Sequence, residues 1–225
     1  MEAYVNVHEM RAAGARVATL LRGARADSAG KSAVLAYRAE ISHYDSMPPI
    51  SAEREALLNS INWLNKEVYR TAPAFYRGVH DLRQLHRFLS MGEIKNDYSN
   101  GFASFSADAA VALRFASSAA GGRAVFEVDG DLFRIRESKP VEYRPRKAML
   151  AHECEAEFRA GGPVPAWAVT VYTDFHSGED EAAVKERLRR NCESINGHVT
   201  QAYASRLEDV RIRPISELEQ EWKYL

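Results

Sequence analysis

Between residues 74 and 172 the apolar residues fall in runs of strand length, while on either side they recur at helical spacing, and this change of period constrains the fold most. Ala74-Phe75-Tyr76, residues 101–106, Ala124-Val125-Phe126-Glu127-Val128, residues 153–158 and residues 166–172 read as short strands, the last two joined by a Gly161-Gly162-Pro163 turn. Between them, Leu82, Leu85, Phe88 and Leu89 predict a short helix, and residues 109–115 another. Residues 11–21 are rich in Ala and Leu. Ser51 stands where an N-cap belongs, with Glu53 and Glu55 in the first turn, and Leu57, Ile61, Leu64 and Val68 then recur at helical intervals. Residues 181–192 are helical again, and Val210-Arg211-Ile212-Arg213 predicts a last strand. The class is α+β: a helical N-terminal region over 1–70 packing on a core domain over 71–225, with a helical extension from about residue 178.

A 225-residue chain with 46% hydrophobic residues can bury a sizeable core. Its net charge of −1 argues against broad electrostatic attraction to nucleic acid or to an anionic membrane. Two cysteines, Cys154 and Cys192, are too few for a disulfide framework. The opening residues lack a basic start followed by an apolar run, and no later segment is long and apolar enough to span a bilayer, so a soluble, cytoplasmic protein is expected. Gly30-Lys31-Ser32 resembles the end of a phosphate loop, but that loop needs a glycine where Arg25 stands. There is no G-x-G-x-x-G, and the histidines are scattered without H-E-x-x-H spacing, so neither a dinucleotide fold of that kind nor a metal site is expected.

Three segments carry chemistry. Phe75-Tyr76-Arg77-Gly78 ends an apolar strand in an arginine, whose planar fork suits a phosphate or carboxylate, although a structural salt bridge would use it equally well. In Ser104-Phe105-Ser106 strand alternation puts both hydroxyls on one face, either to brace a carboxylate or to meet solvent. In residues 152–158 the period is again two, so Glu153, Glu155 and Glu157 share one face and Cys154, Ala156 and Phe158 the other. Three like charges side by side repel. A solvated edge tolerates them, and so does a site where a cationic transition state sits over them.

Cleavage of the glycosidic bond to nicotinamide passes through such a cation. A carboxylate beside the ribose stabilises the developing charge, and a second one two residues away orients the incoming nucleophile. Tyr76-Arg77-Gly78, then Gly101-Phe102 with Ser104 and Ser106, then Glu155-Ala156-Glu157-Phe158, resembles the Arg-Ser-Glu class of mono-ADP-ribosyltransferases, which includes cholera-like and clostridial toxins, ecto-enzymes and phage enzymes. The resemblance covers residues 75–172 and not the flanks.

It implies a core of two small packed β-sheets around an NAD cleft, and transfer of ADP-ribose from NAD+, as co-substrate and without a metal, to arginine side chains of a target protein. Arg77 would contact the NAD phosphates, with Tyr76 and Gly78 beside it. Ser104 would brace the catalytic glutamate, and Ser106 is the motif's second serine. Phe105 stands where the family usually has threonine, with its side chain pointing away. A bulky apolar residue follows the second glutamate in this family, so Glu157 is assigned the catalytic role and Glu155 the acceptor-orienting one, with Glu153 an outside candidate. Residues 139–152, carrying Tyr143, Arg144 and Arg146, would be the target-recognising loop. Residues 117–122 would flank nicotinamide, with Phe115 or Tyr98 supplying the aromatic face. The same chemistry on RNA or DNA, plain NAD+ hydrolysis, and a non-catalytic acidic binding module are the alternatives.

Overall fold

A computed structural model describes residues 34–35, 37–40, 52–94, 102–116, 122–136, 138–140, 155–159 and 163–222. The Ala- and Leu-rich residues 11–21, the Ser51 cap, Tyr98, Glu153, Cys154 and the loop residues Tyr143, Arg144 and Arg146 lie outside them. The chain forms two compact units, residues 1–73 with 139–156, and residues 74–138 with 157–225.

In the first unit, helix α1 (Ala52–Thr71) buries Leu57, Ile61, Leu64 and Val68 along one stripe, as their spacing predicts. Trp63 on the other side is exposed. The helix ends just before Pro73, which cannot continue it.

The second unit is α+β. It contains β1 (Ala74–Val79), α2 (Leu82–Met91), β2 (Phe102–Ser106), α3 (Ala109–Ala116), β3 (Ala124–Asp129) and α4 (Gly130–Arg134). After β4 (Lys139–Pro140), which falls in the first unit, come β5 (Glu155–Arg159), β6 (Val169–Thr173), α5 (Glu181–Asn196), α6 (Gln201–Asp209), β7 (Arg211–Pro214) and α7 (Ile215–Trp222). β1 pairs antiparallel with both β2 and β3, β3 antiparallel with β6, and β6 parallel with β7. Among the described residues these strands form one mixed sheet, where the resemblance implied two packed sheets. Alternation in a sequence tells which face a side chain takes but not which strands pair, and β1 is hydrogen-bonded along both edges.

The register divides the side chains between two faces. Phe75, Arg77 and Val79 of β1 share a face with Phe126, Val128, Val171 and Ile212. Phe133 of α4 stacks on Phe75 with centroids 4.1 Å apart and meets Phe105 edge-on at 5.1 Å, while Phe88 of α2 meets Phe126 edge-on at 5.7 Å. Each such ring contributes about 1.5–3 kcal/mol by leaving water. Tyr76 opposes both Ser106 and Glu127, so these three share the second face with Ser104, Gly78, Val125, Tyr172 and Arg213.

Helix α3 packs on this second face at Gly78. A Cβ on Gly78 would stand 1.7 Å from the Ala112 carbonyl oxygen and 2.8 Å from the Ala116 nitrogen, both backbone atoms that cannot swing aside. The residue is glycine because helix and strand touch there. Gly78→Ala should therefore cost about 3 kcal/mol or more through forced separation of α3 from β1. That corresponds to a melting temperature lower by roughly 6–12 °C in a domain of this size. A melting curve within 2 °C of the parent's, to take roughly the error of such a measurement, would contradict the contact.

Candidate functional site

Arg77 lies at the junction of β1, β2 and α2. Its stem alternates with Phe75 and Val79 on the core face, directly opposite Phe126. Its Nη1 donates to the Ser104 carbonyl at 3.0 Å, and Nη2 to Gln84 Oε1 at 3.4 Å. The first bond reaches from the arginine strand to the serine strand and so couples two of the three motifs. Charge-assisted bonds of this kind contribute about 1.5–3 kcal/mol each when well aligned, and the longer contact to Gln84 is the weaker of the two.

The two serines share a face, as their spacing predicts, but their surroundings differ. Ser104 is exposed. Ser106 is buried, and its Oγ accepts the Asp108 backbone N–H at 2.9 Å. Asp108, itself fully buried, accepts the Ala110 N–H at 3.0 Å. Ser106 and Asp108 thus form the turn that carries β2 into α3, satisfying N–H groups that the first turn of a helix leaves open. Phe105 points to the opposite face, against Phe133. Tyr76 is half-buried with its ring edge-on to Trp222, centroids 6.0 Å apart, and Phe115 stands exposed near the end of α3.

Glu155 and Glu157 lie on β5, as the alternation predicts, and their side chains are outside the described structure. The stretch 157–159 belongs to the second unit, and its strand is the outer neighbour of β2 in the sheet order. Within the second unit the strand order thus sets Glu157, the serine motif and the arginine motif on consecutive strands.

One acidic residue was not picked out from the sequence. Glu127 projects from β3 beside Tyr76, and Tyr172 Oη donates to its Oε2 at 3.0 Å. Burial holds its carboxyl above the ordinary range. The Tyr172 hydrogen bond and the Arg213 charge oppose that rise, while the Glu221 charge adds to it. Burial and the Glu127 charge in turn push both Tyr76 and Tyr172 well above the usual phenol range. The signal lay in the strand itself: Glu127 is the lone carboxylate within the apolar run 124–128. Isolated charges in buried strands are costly enough to need a reason.

A second polar feature joins α2 to the C-terminal helices. Tyr203 Oη donates to the Leu188 carbonyl at 3.2 Å and lies 2.9 Å from His86 Nδ1. With Tyr203 donating to the Leu188 carbonyl, which can only accept, His86 donates to the hydroxyl through Nδ1. Burial lowers its pKa, against a smaller opposing effect of Asp81. His86 also lines an open cavity of about 570 Å³ with His80, Arg83, Asn191 and Ser194. Another, of about 550 Å³, lies between α3 and α7. Neither is lined by Arg77, Ser104 or Ser106.

Among the described residues no group of three or more His, Cys, Asp or Glu could hold a metal ion, and no helix is long and apolar enough to cross a membrane. Comparison with protein-family models, with curated proteins and with solved structures gave no match.

The His86 assignment has a direct check. Tyr203→Phe leaves both the Leu188 carbonyl and the His86 Nδ1–H without their buried partner, and the expected loss is about 1–3 kcal/mol in urea unfolding. In the parent protein, nitrogen-15 spectra at neutral pH should show the proton of His86 on Nδ1. A proton on Nε2 would mean that Tyr203 donates to His86 instead.

Proposed function

We propose that this protein is a mono-ADP-ribosyltransferase that moves ADP-ribose from NAD+ to arginine side chains of a target protein and releases nicotinamide. The observation that carries the reading is the order of three motifs along the chain, Tyr76-Arg77-Gly78, Ser104-Phe105-Ser106 and Glu155-Ala156-Glu157, each on a strand. The hydrogen bond from Arg77 to the Ser104 carbonyl and the place of β5 beside β2 are consistent with it.

In this reading each group has one task. The Arg77 fork meets the pyrophosphate of NAD+. The residues present suit that task, because the 3.4 Å contact to Gln84 is one that a charged phosphate oxygen would replace at a gain. Ser104, exposed on β2, offers its hydroxyl to the carboxylate that serves the ribose. Ser106 acts through the turn into α3 rather than on substrate. Glu157 stabilises positive charge as the nicotinamide bond breaks, and Glu155 accepts a proton from the incoming guanidinium. Bound NAD+ supplies the electrophilic ribose carbon.

Incubation of the full-length protein with labelled NAD+ and a cell lysate, followed by separate protease and nuclease digestion, tests the acceptor. Label removed by protease supports a protein target, and label removed only by nuclease shifts the proposal to RNA or DNA. Nicotinamide release without label leaves an NAD+ glycohydrolase. No NAD+ consumption removes the enzyme reading and leaves an acidic binding surface.

The two glutamates should separate. Glu157→Gln should lower nicotinamide release by about 10²–10³-fold, the loss usual for a group that acts on transition-state charge. Glu155→Gln should abolish target labelling yet keep NAD+ hydrolysis within about tenfold of the parent, with water replacing the acceptor. The opposite pattern would move the register to Glu153 and Glu155.

A further inference from the structure

We infer that α7 is a pH-sensitive latch: it closes over the Glu127 side of the sheet, and ionisation of Glu127 loosens it. The inference stands apart from the proposed activity, and the experiment below does not depend on it.

The helix is held by a buried stripe, Ile215, Leu218 and Trp222, and by ion pairs. Arg213 of β7 pairs with Glu217, and Arg123, just before β3, pairs with Asp174 at 3.0 Å and Glu219 at 2.6 Å. Beneath it lies Glu127, on the same sheet face as Tyr76, whose ring meets Trp222. The titratable or charged groups that act on this carboxylate are Tyr76 from β1, Tyr172 from β6, Arg213 from β7 and Glu221 from α7, while α3, packed on the same face, is not among them. Tyr172 donates to it, and Arg213 stands over the Tyr172 ring at 5.9 Å. Glu221 opposes it with like charge.

Closure therefore buries a carboxyl group next to another carboxylate. Burial holds Glu127 above its ordinary range in the closed state. A lifted α7 would return it to water and remove Glu221, so the open state releases a proton that the closed state keeps. Linkage then fixes the sign: closure is favoured in mild acid, and that advantage is lost as pH rises through the closed-state pKa of Glu127. The guanidinium groups of Arg123 and Arg213, both held above their ordinary range, stay charged across this range.

Hydrogen exchange of the full-length protein reads the latch directly. Amide protection of residues 218–222, corrected for intrinsic rates and compared with that of β3, should fall by more than about twofold between about pH 5 and pH 8. In Glu127→Gln the change should stay within about twofold. Tyr172→Phe removes the donor that favours the ionised carboxylate, so the loss of protection should move to higher pH. Uniform protection in the parent, an undiminished pH effect in Glu127→Gln, or no displacement in Tyr172→Phe would each overturn the latch. The last arm decides the matter should Glu127→Gln fail to fold.

Discussion

Hydrogen bonding along both edges of β1 is the constraint on which the rest of the second unit depends. Because β2 and β3 both pair with it, β1 cannot shift by one residue without exchanging its faces. Phe75 would then leave the Phe133 stack, Arg77 would leave Ser104 and Gln84, and a side chain would replace Gly78 beneath α3. The apolar core, the arginine contact and the helix seat fix one register between them. Adjacent residues of β1 are thereby aimed at different tasks, Arg77 toward β2 and α2, and Tyr76 toward Glu127 and α7.

How far this was legible in the sequence depended on which physical rule was at work. The α1 stripe from Leu57 to Val68 and the α2 residues Leu85, Phe88 and Leu89 were readable, because burial of one helical face imposes its own period. The shared face of Ser104 and Ser106 was readable because alternation is a property of the strand alone. Strand pairing was not. The union of β2 with β3 through β1 rests on contacts between distant residues, and the two-sheet expectation came from resemblance rather than from this chain. Gly78 was noted only as a neighbour of Arg77, and its reason, contact with the α3 backbone, exists only once the helix has docked.

The candidate site shows the same division. Residue types and spacing singled out Arg77 and Ser104, yet nothing local said that Arg77 would be held by a backbone carbonyl of the serine strand. Spacing treated Ser104 and Ser106 as equals. The chain beyond them decides otherwise, because Asp108 and Ala110 recruit Ser106 into the turn that starts α3. Helix N-termini compete for hydroxyls and carboxylates, and a serine two residues before an aspartate at a strand end is well placed to be taken.

Acidic residues occupy two physically different settings in this chain, and the difference bears on what each can do. Glu153, Glu155 and Glu157 repeat every second residue, a pattern whose only distinguishing property is crowding of like charge. Such a run is visible in the sequence however its surroundings turn out. Glu127 is single, flanked by Phe126 and Val128, and its character comes from what folds around it: two tyrosine hydroxyls, Arg213 and a carboxylate on α7. Burial raises the proton affinity of a carboxyl group placed in this way, and groups on several elements adjust it. Chemistry on a substrate needs charges that persist when the substrate arrives, and conformational control needs a charge that changes when an element moves. The proposed roles follow this division: catalysis is proposed for the Glu155-Ala156-Glu157 pair, and control of helix position for Glu127.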